Sequence, residues 1–194
     1  MAPLTALASA LGIAWSSSVS LYATVAFTGL AGRFGWVALP DGLHVLESSW
    51  VIGIALLLTG VEVAASLVPG IATAWEALHA AIRPVAAAAL AVLATWGANP
   101  VLVVVAGLLG GTLGAVTTAT KLKLRTAIDA SPEPVSNAVA TGAELSTVAG
   151  MAWLVWSHPW VALAAAFTLL VLLFLLTRAL WGALRRAATW MKGS

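Results

Sequence analysis

Apolar residues gather in six stretches along this chain, separated by short segments where polar residues, glycine and proline collect. The stretches run roughly over Leu4–Ala31, Trp50–Val68, Pro84–Gly97, Pro100–Thr120, Asn137–Trp156 and Pro159–Trp181. A helix needs about 20 residues to cross a hydrocarbon layer of about 30 Å, and most of the stretches approach or exceed that length. The connectors Ala98-Asn99 and Ser157-His158 read as tight turns, each followed by a proline suited to the first position of the next helix. The pattern predicts an all-α integral membrane bundle of about six transmembrane helices, forming a single membrane domain over residues 1–194.

Two stretches depart from the simple pattern. The first would extend about 42 Å as one helix, longer than the hydrocarbon core. Its middle, Trp15-Ser16-Ser17-Ser18-Val19-Ser20, suggests a kink or a polar, water-facing section. The third is too short unless a helix over Ile71–Arg83 feeds into it through a kink at Pro84. On that feeder, Ile71, Trp75, Leu78 and Ile82 form one stripe, with Glu76, His79 and Arg83 beside it. A broken or re-entrant segment is therefore expected near Pro69–Pro84. The fourth stretch carries Gly107, Gly110, Gly111 and Gly114, two overlapping pairs of small residues that permit close helix contact. Leu169–Leu176 has no polar face, so the last helix should be the most lipid-exposed.

The halves 1–97 and 98–194 share an outline. Each has a proline–acid pair (Pro40-Asp41, Pro132-Glu133), an acid within its second span (Glu62, Glu144) and a later proline (Pro69, Pro159). With three spans per half, such a repeat would have inverted topology, as in many transporters.

Composition fits the bilayer. The 194 residues are 61% hydrophobic and 8% charged, against roughly 25% charged in soluble domains. Mean hydropathy is +1.02. A net charge of only +2 points to no nucleic-acid partner. Cysteine is absent, which removes disulfides, thiolate metal sites and thiol nucleophiles. Three histidines with no cluster at metal-ligand spacing point to no metal and no cofactor. No nucleophile has a histidine or paired acid at matching depth, so no catalytic residue is assigned and a non-enzyme is expected.

Where the charges sit sets the topology. With the N-terminus inside, Arg83, Lys121, Lys123, Arg125, Arg178, Arg185, Arg186 and Lys192 all fall on the cytoplasmic side and only Arg33 outside. Both termini are thus expected in the cytoplasm. Trp36, Trp50, Trp96, Trp156 and Trp160 would mark the outer headgroup level and Trp75, Trp181 and Trp190 the inner one, with Trp15 and Trp153 packed inside the bundle. The first apolar segment lacks a basic n-region and should be retained.

Glu62 and Glu144 are the sharpest polar features. An ionisable residue within a span costs about 3 kcal/mol or more on insertion scales, so both should face the bundle interior or a polar cavity. Either they make structural ion pairs or they bind and move ions. Asn137, Thr141 and Glu144, at i, i+4 and i+7, give one helix a polar face. Arg83 can pair with Glu76 on its own helix, pair with Glu62 across helices, or snorkel to the interface. His79 is an interfacial residue or a proton carrier. Lys121, Lys123 and Arg125 lie where the fourth span leaves the membrane. They read as lipid- or anion-facing: topology determinants touching anionic lipid, or a vestibule for an anionic solute. Ser131, Pro132 and Glu133 form a helix-start signal. Pro134 and the Ser136-Asn137 pair exceed what capping needs.

The string Ala130-Ser131-Pro132-Glu133-Pro134-Val135-Ser136-Asn137 resembles a hallmark of a bacterial membrane-protein family known as domain of unknown function 4126. Glu62, Pro69-Gly70, Trp75-Glu76, His79 and Ile82-Arg83-Pro84 resemble its second motif, and the likeness covers nearly the whole chain. Where the family is expected to carry an Asp-Lys pair just before Pro-Gly, this chain has Ser66-Leu67. The resemblance implies a bacterial inner (plasma) membrane protein and names no activity.

The leading expectation is a small transporter or channel for a small ion or solute. Its polar site would lie in the cytoplasmic half of the membrane, drawn from Glu62, Glu76, His79, Arg83, Glu133, Asn137, Thr141 and Glu144. One alternative is handling of an anionic or polyprenyl lipid, with Arg83, Lys121, Lys123 and Arg125 holding its phosphate at the inner leaflet. Another is a non-catalytic subunit or assembly factor whose glycine-rich helix docks on a second copy or on a larger membrane complex. Membrane lipids are partners in every case.

Overall fold

A computed structural model describes residues 3–68, 70–129 and 134–192. The described residues form α1 (Pro3–Val19), α2 (Leu21–Arg33), a 3-10 helix (Asp41–Glu47), α3 (Ser49–Ser66), α4 (Ile71–Ala94), α5 (Pro100–Asp129), α6 (Pro134–Ser157) and α7 (Pro159–Lys192). Proline stands at the first position of α1, α5, α6 and α7, where its missing N–H leaves no helical bond unmade. Helices α3 to α7 each contain a stretch long and apolar enough to cross a membrane.

The bundle is apolar outside and charged inside. Val85 is 71% exposed and Leu108 68%, whereas Arg83 is 0% and Glu76 1% exposed. That inversion is what a lipid solvent selects, because hydrocarbon accepts leucine and rejects ions. The least buried of the candidate spans is in α7, as its leucine run predicts. Trp15 is buried, as expected, but Trp153 is half-exposed beside His158 rather than packed inside. With Gly150 and Ala149 as its exposed neighbours, its ring lies on an outward face of α6.

The first expected span is divided. The backbone at Ser20 is extended, with φ −144° and ψ 108°, so α1 stops at Val19 and α2 restarts at Leu21. Side chains knit the break together: Thr24 Oγ1 donates to the Ser20 carbonyl at 2.8 Å and shares a 3.0 Å hydrogen bond with Ser16 Oγ. The serines before it face protein rather than water. Ser17 and Ser18 are buried and donate to the Ala14 carbonyl. α1 is the axis of the bundle and packs on α4, α5, α6 and α7. Its small residues allow this. A Cβ at Gly12 would stand 2.7 Å from Val155 Cγ2, and Ser9 Oγ donates to the Val155 carbonyl.

The feeder and the third expected span prove to be one helix, α4, with Pro84 inside it. Pro84 removes one backbone donor, but its fixed φ is helical and α4 runs on through it. The discontinuity in this region lies before α4, where Gly70 has φ +82°. α4 and α5 make the most extensive helix pair. The four α5 glycines line that contact. A Cβ at Gly114 would sit 2.7 Å from Ala87 Cβ and 3.2 Å from Pro84 Cα, and one at Gly110 would sit 2.7 Å from Ala91 Cβ. Gly107 and Gly111 meet Val92 and Ala88 in the same way. The glycine surface thus packs on α4 and α1 of the same chain.

Two outcomes follow from this packing. Gly114→Leu should lower the thermal stability of the detergent-solubilised protein by on the order of 1–3 kcal/mol or more, since four extra carbons must displace backbone. Gly142→Leu, at a position with no neighbour within 4 Å, should change it little. For topology, the cysteine-free background makes Asp41→Cys a clean reporter. An impermeant thiol reagent should label it in intact bacterial cells and leave it unlabelled in sealed inside-out vesicles.

Candidate functional site

The break at Ser20 is surrounded by charge. Arg83 projects from α4, fully buried, and its guanidinium joins two helices. Nη2 donates to Glu62 Oε1 on α3 at 2.6 Å. Nη1 donates to Glu76 Oε2 two turns earlier on α4, with Nη2 also 3.3 Å from Glu76 Oε1. The other oxygen of Glu62, Oε2, accepts from Ser20 Oγ at 2.6 Å, so the acid on α3 fastens the helix break.

Lys121 enters from α5. Its ammonium donates to the Val19 carbonyl, lies 3.0 Å from Glu76 Oε1 and 2.9 Å from Glu144 Oε2. An ammonium has three donors, and three acceptors surround this one. Val19 ends α1, so its carbonyl has no helical N–H partner, and in a membrane interior such a group must find another donor. Lys121 supplies it.

One turn further along α5, Arg125 is buried as well. It donates to Thr141 Oγ1 at 3.1 Å and approaches Asn137 Oδ1 at 3.4 Å. No carboxylate pairs with it among the described residues, and its Nε and the Asn137 Nδ2 have no partner there. The expected polar face of Asn137, Thr141 and Glu144 does point into the site. Glu133 lies outside the described residues.

Placement on α5 follows from helical geometry. Lys121 and Arg125 are four residues apart and share the inward face, while Lys123, two residues from either, lies about 200° around the axis. Only Lys123 of the three is exposed. The reading of all three as lipid- or anion-facing is thus corrected for Lys121 and Arg125. Lys121 turns inward to two acids and the free Val19 carbonyl, and Arg125 to the side-chain oxygens of Thr141 and Asn137.

His79 is buried beside the network. Its Nδ1 lies 2.8 Å from the Trp75 carbonyl, an acceptor only, so Nδ1 carries a proton. In the neutral ring Nε2 then accepts from Tyr22 Oη at 2.9 Å. Trp75 stacks on the imidazole at 4.4 Å between centroids. Tyr22 thereby ties α2 to α4 just past the break.

Three contributors escaped the sequence reading. Ser20 looked like one serine among several. Tyr22 stood in an apolar run. Asp129, at the end of α5, caps another helix: its Oδ2 accepts from Gly70 N at 3.0 Å, Thr73 N at 3.1 Å and Thr73 Oγ1 at 2.6 Å. The absence of a capping side chain at Gly70 was the available hint.

One face of the network is open. A groove of about 670 Å³, bounded by α1, α5, α6 and α7, has Lys121 and Glu144 at its polar end and walls that include Trp15, Val19, Leu172 and Leu176. Glu144 is its accessible acid. The Glu144 side chain is 21% exposed, against 6% for Glu62 and 1% for Glu76.

The sequence profile described as "Domain of unknown function (DUF4126)" matches residues 7–179, from within α1 to within α7. The chain belongs to this family. The family match spans every residue of the charge network, and it assigns none of them a role. No curated protein and no solved structure matches the chain.

The network is strongly coupled on physical grounds. Removing one partner of a buried ion pair costs about 3–5 kcal/mol, because the other is left charged and unpaired. Arg83→Gln should therefore be a strongly damaging single change, stranding Glu62 and leaving Glu76 with Lys121 alone. In a double-mutant cycle on thermal stability, Glu62→Gln and Arg83→Gln should combine to less than the sum of the single losses, with a coupling of about 1 kcal/mol or more. Additive losses would contradict the pairing.

Proposed function

We propose that this protein carries a small cation across the membrane, with Glu144 and Glu76 as its carboxylate ligands at the break in the first span. The reading places the protein in a bacterial inner membrane with both termini cytoplasmic and assigns it no enzymatic activity. One observation carries it: the Lys121 ammonium occupies a cage of one unwound backbone carbonyl and two carboxylates, beside a groove that reaches Glu144. Such a cage is the oxygen-rich surrounding that a monovalent cation takes when helices are interrupted at mid-membrane. Lys121 acts in it as a tethered cation. When its ammonium swings away, Val19, Glu76 and Glu144 are left with oxygens to fill, and a proton or alkali cation arriving by way of Glu144 can fill them.

Depth is consistent with passage. At 1.5 Å per residue, Glu62, Arg83 and Glu144 lie about 20, 17 and 20 Å along their helices from the ends at Ser49, Ala94 and Ser157. These values fall past the middle of a hydrocarbon layer of about 30 Å. A second reading, lipid handling, draws on the apolar walls of the same groove, where Leu169, Leu172, Leu173 and Leu176 would suit an acyl chain.

Purified protein reconstituted in liposomes should show proton, sodium or potassium flux above protein-free vesicles, read with ion-sensitive dyes. Glu144→Gln should reduce that flux on the order of tenfold or more, the scale of losing one charged ligand worth about 1.5–3 kcal/mol. Flux at the protein-free level for all three cations would overturn the proposal. Lipid exchange between vesicles under the same conditions would then favour the second reading.

A further inference from the structure

On the other side of α7 from the network groove lies a separate crevice of about 580 Å³, lined by Thr120, Lys123, Phe174, Thr177, Arg178 and Trp181. From this crevice we infer that α5 and α7 together bind the headgroup of an anionic phospholipid, with Lys123 and Arg178 on its phosphate. The inference is independent of what the network carries.

Both basic side chains are exposed, and neither has a carboxylate or hydrogen-bond partner among the described residues. The nearest acids in sequence are already used. Asp129 caps α4, and Glu144 faces Lys121. Two unpaired cations on neighbouring helices, converging on one crevice, form a complement to a single anionic group.

Depth selects a lipid over a soluble anion. Measured from Pro100 and Pro159, Lys123 lies about 34 Å along α5 and Arg178 about 28 Å along α7, the far headgroup level of a layer about 30 Å thick. Trp181, one turn beyond Arg178, stands where indole rings prefer to sit, and Phe174, one turn before it, lies at acyl depth. The crevice therefore grades along α7 from aromatic hydrocarbon through two cations to an interfacial indole, the order of a phospholipid's own parts. Thr120 and Thr177 donate to the carbonyls of Val116 and Leu173, so their hydroxyls leave the crevice apolar below the cations.

The experiment is titration of detergent-solubilised protein with phosphatidylglycerol or phosphatidylcholine, followed by thermal unfolding and by counting retained lipids in native mass spectrometry. Phosphatidylglycerol should raise the unfolding midpoint and remain bound where phosphatidylcholine does not. Lys123→Gln combined with Arg178→Gln should leave the lipid-free midpoint in place and weaken phosphatidylglycerol binding roughly tenfold or more. Lys123→Arg should retain binding. An equal response to phosphatidylcholine, or a wild-type response from the double variant, would overturn the inference. So would inorganic phosphate reproducing the shift, which would mark a free-anion site instead.

Discussion

An ion inside hydrocarbon is tolerable only when another ion or several dipoles stand against it, and in this protein that requirement joins α3, α4, α5 and α6 to the break between α1 and α2. Arg83 brings α4 to α3 through Glu62, and Lys121 brings α5 to α6 through Glu144 while both meet Glu76. Glu62 and Lys121 then each hold one side of the interruption between α1 and α2. Elsewhere the bundle relies on close contact between small residues, which lipid tails can rival because they are as apolar as leucine. Only the ionic contacts have no competitor in lipid. They fix the register of the helices, and the small residues of α1 and α5 let backbones come near enough for the side chains to reach.

Direct pairing counts three carboxylates, Glu62, Glu76 and Glu144, against two cations, Arg83 and Lys121. Arg125, one turn from Lys121 and bonded to the helix that carries Glu144, supplies the third positive charge at longer range. The imbalance falls at the end of the chain of contacts nearest the groove. Glu76 is clasped by Arg83 and Lys121 together, whereas Glu144 has Lys121 alone and shares it. A cluster tightly neutralised at one end and loosely at the other gives an entering cation one obvious point of attack.

Much of this was legible in the sequence. The apolar runs, the prolines that open α5 and α7, the inward acids and the Glu62–Arg83–Glu76 association could all be argued from spacing and from the expense of lone charges. Lys121 was misplaced because a lysine at the end of a span usually snorkels, and only the position of the α1 break shows that an unpaired carbonyl awaits it. Pro84 suggested a broken helix, yet α4 runs through it, and the break lies at Ser20, in the stretch where a kink was one of the two expectations. A serine-rich stretch in a membrane segment reads equally as a kink or a wet surface, and the choice depends on neighbours in other helices, such as Glu62 and Lys121. Asp129 was invisible for the same reason: its partners, Gly70 and Thr73, belong to a different helix.

The order of the charges along the chain has a consequence for biogenesis. Each ionised group that enters the bilayer alone carries an insertion penalty of about 3 kcal/mol. Glu62, Glu76 and Arg83 all lie on α3 and α4, two consecutive helices. Arg83 can therefore offset both acids within a hairpin before α5 has been synthesised, with one negative charge left for Lys121 to answer. Lys121 and Glu144 follow on α5 and α6 and arrive as a second opposite-charge pair. Helices α1 and α2 precede all of them, with the Val19 carbonyl unanswered until α5 appears. The protein is thus asymmetric in time as well as in space: its central helix is made before the helices that surround it, and its last carbonyl waits for α5.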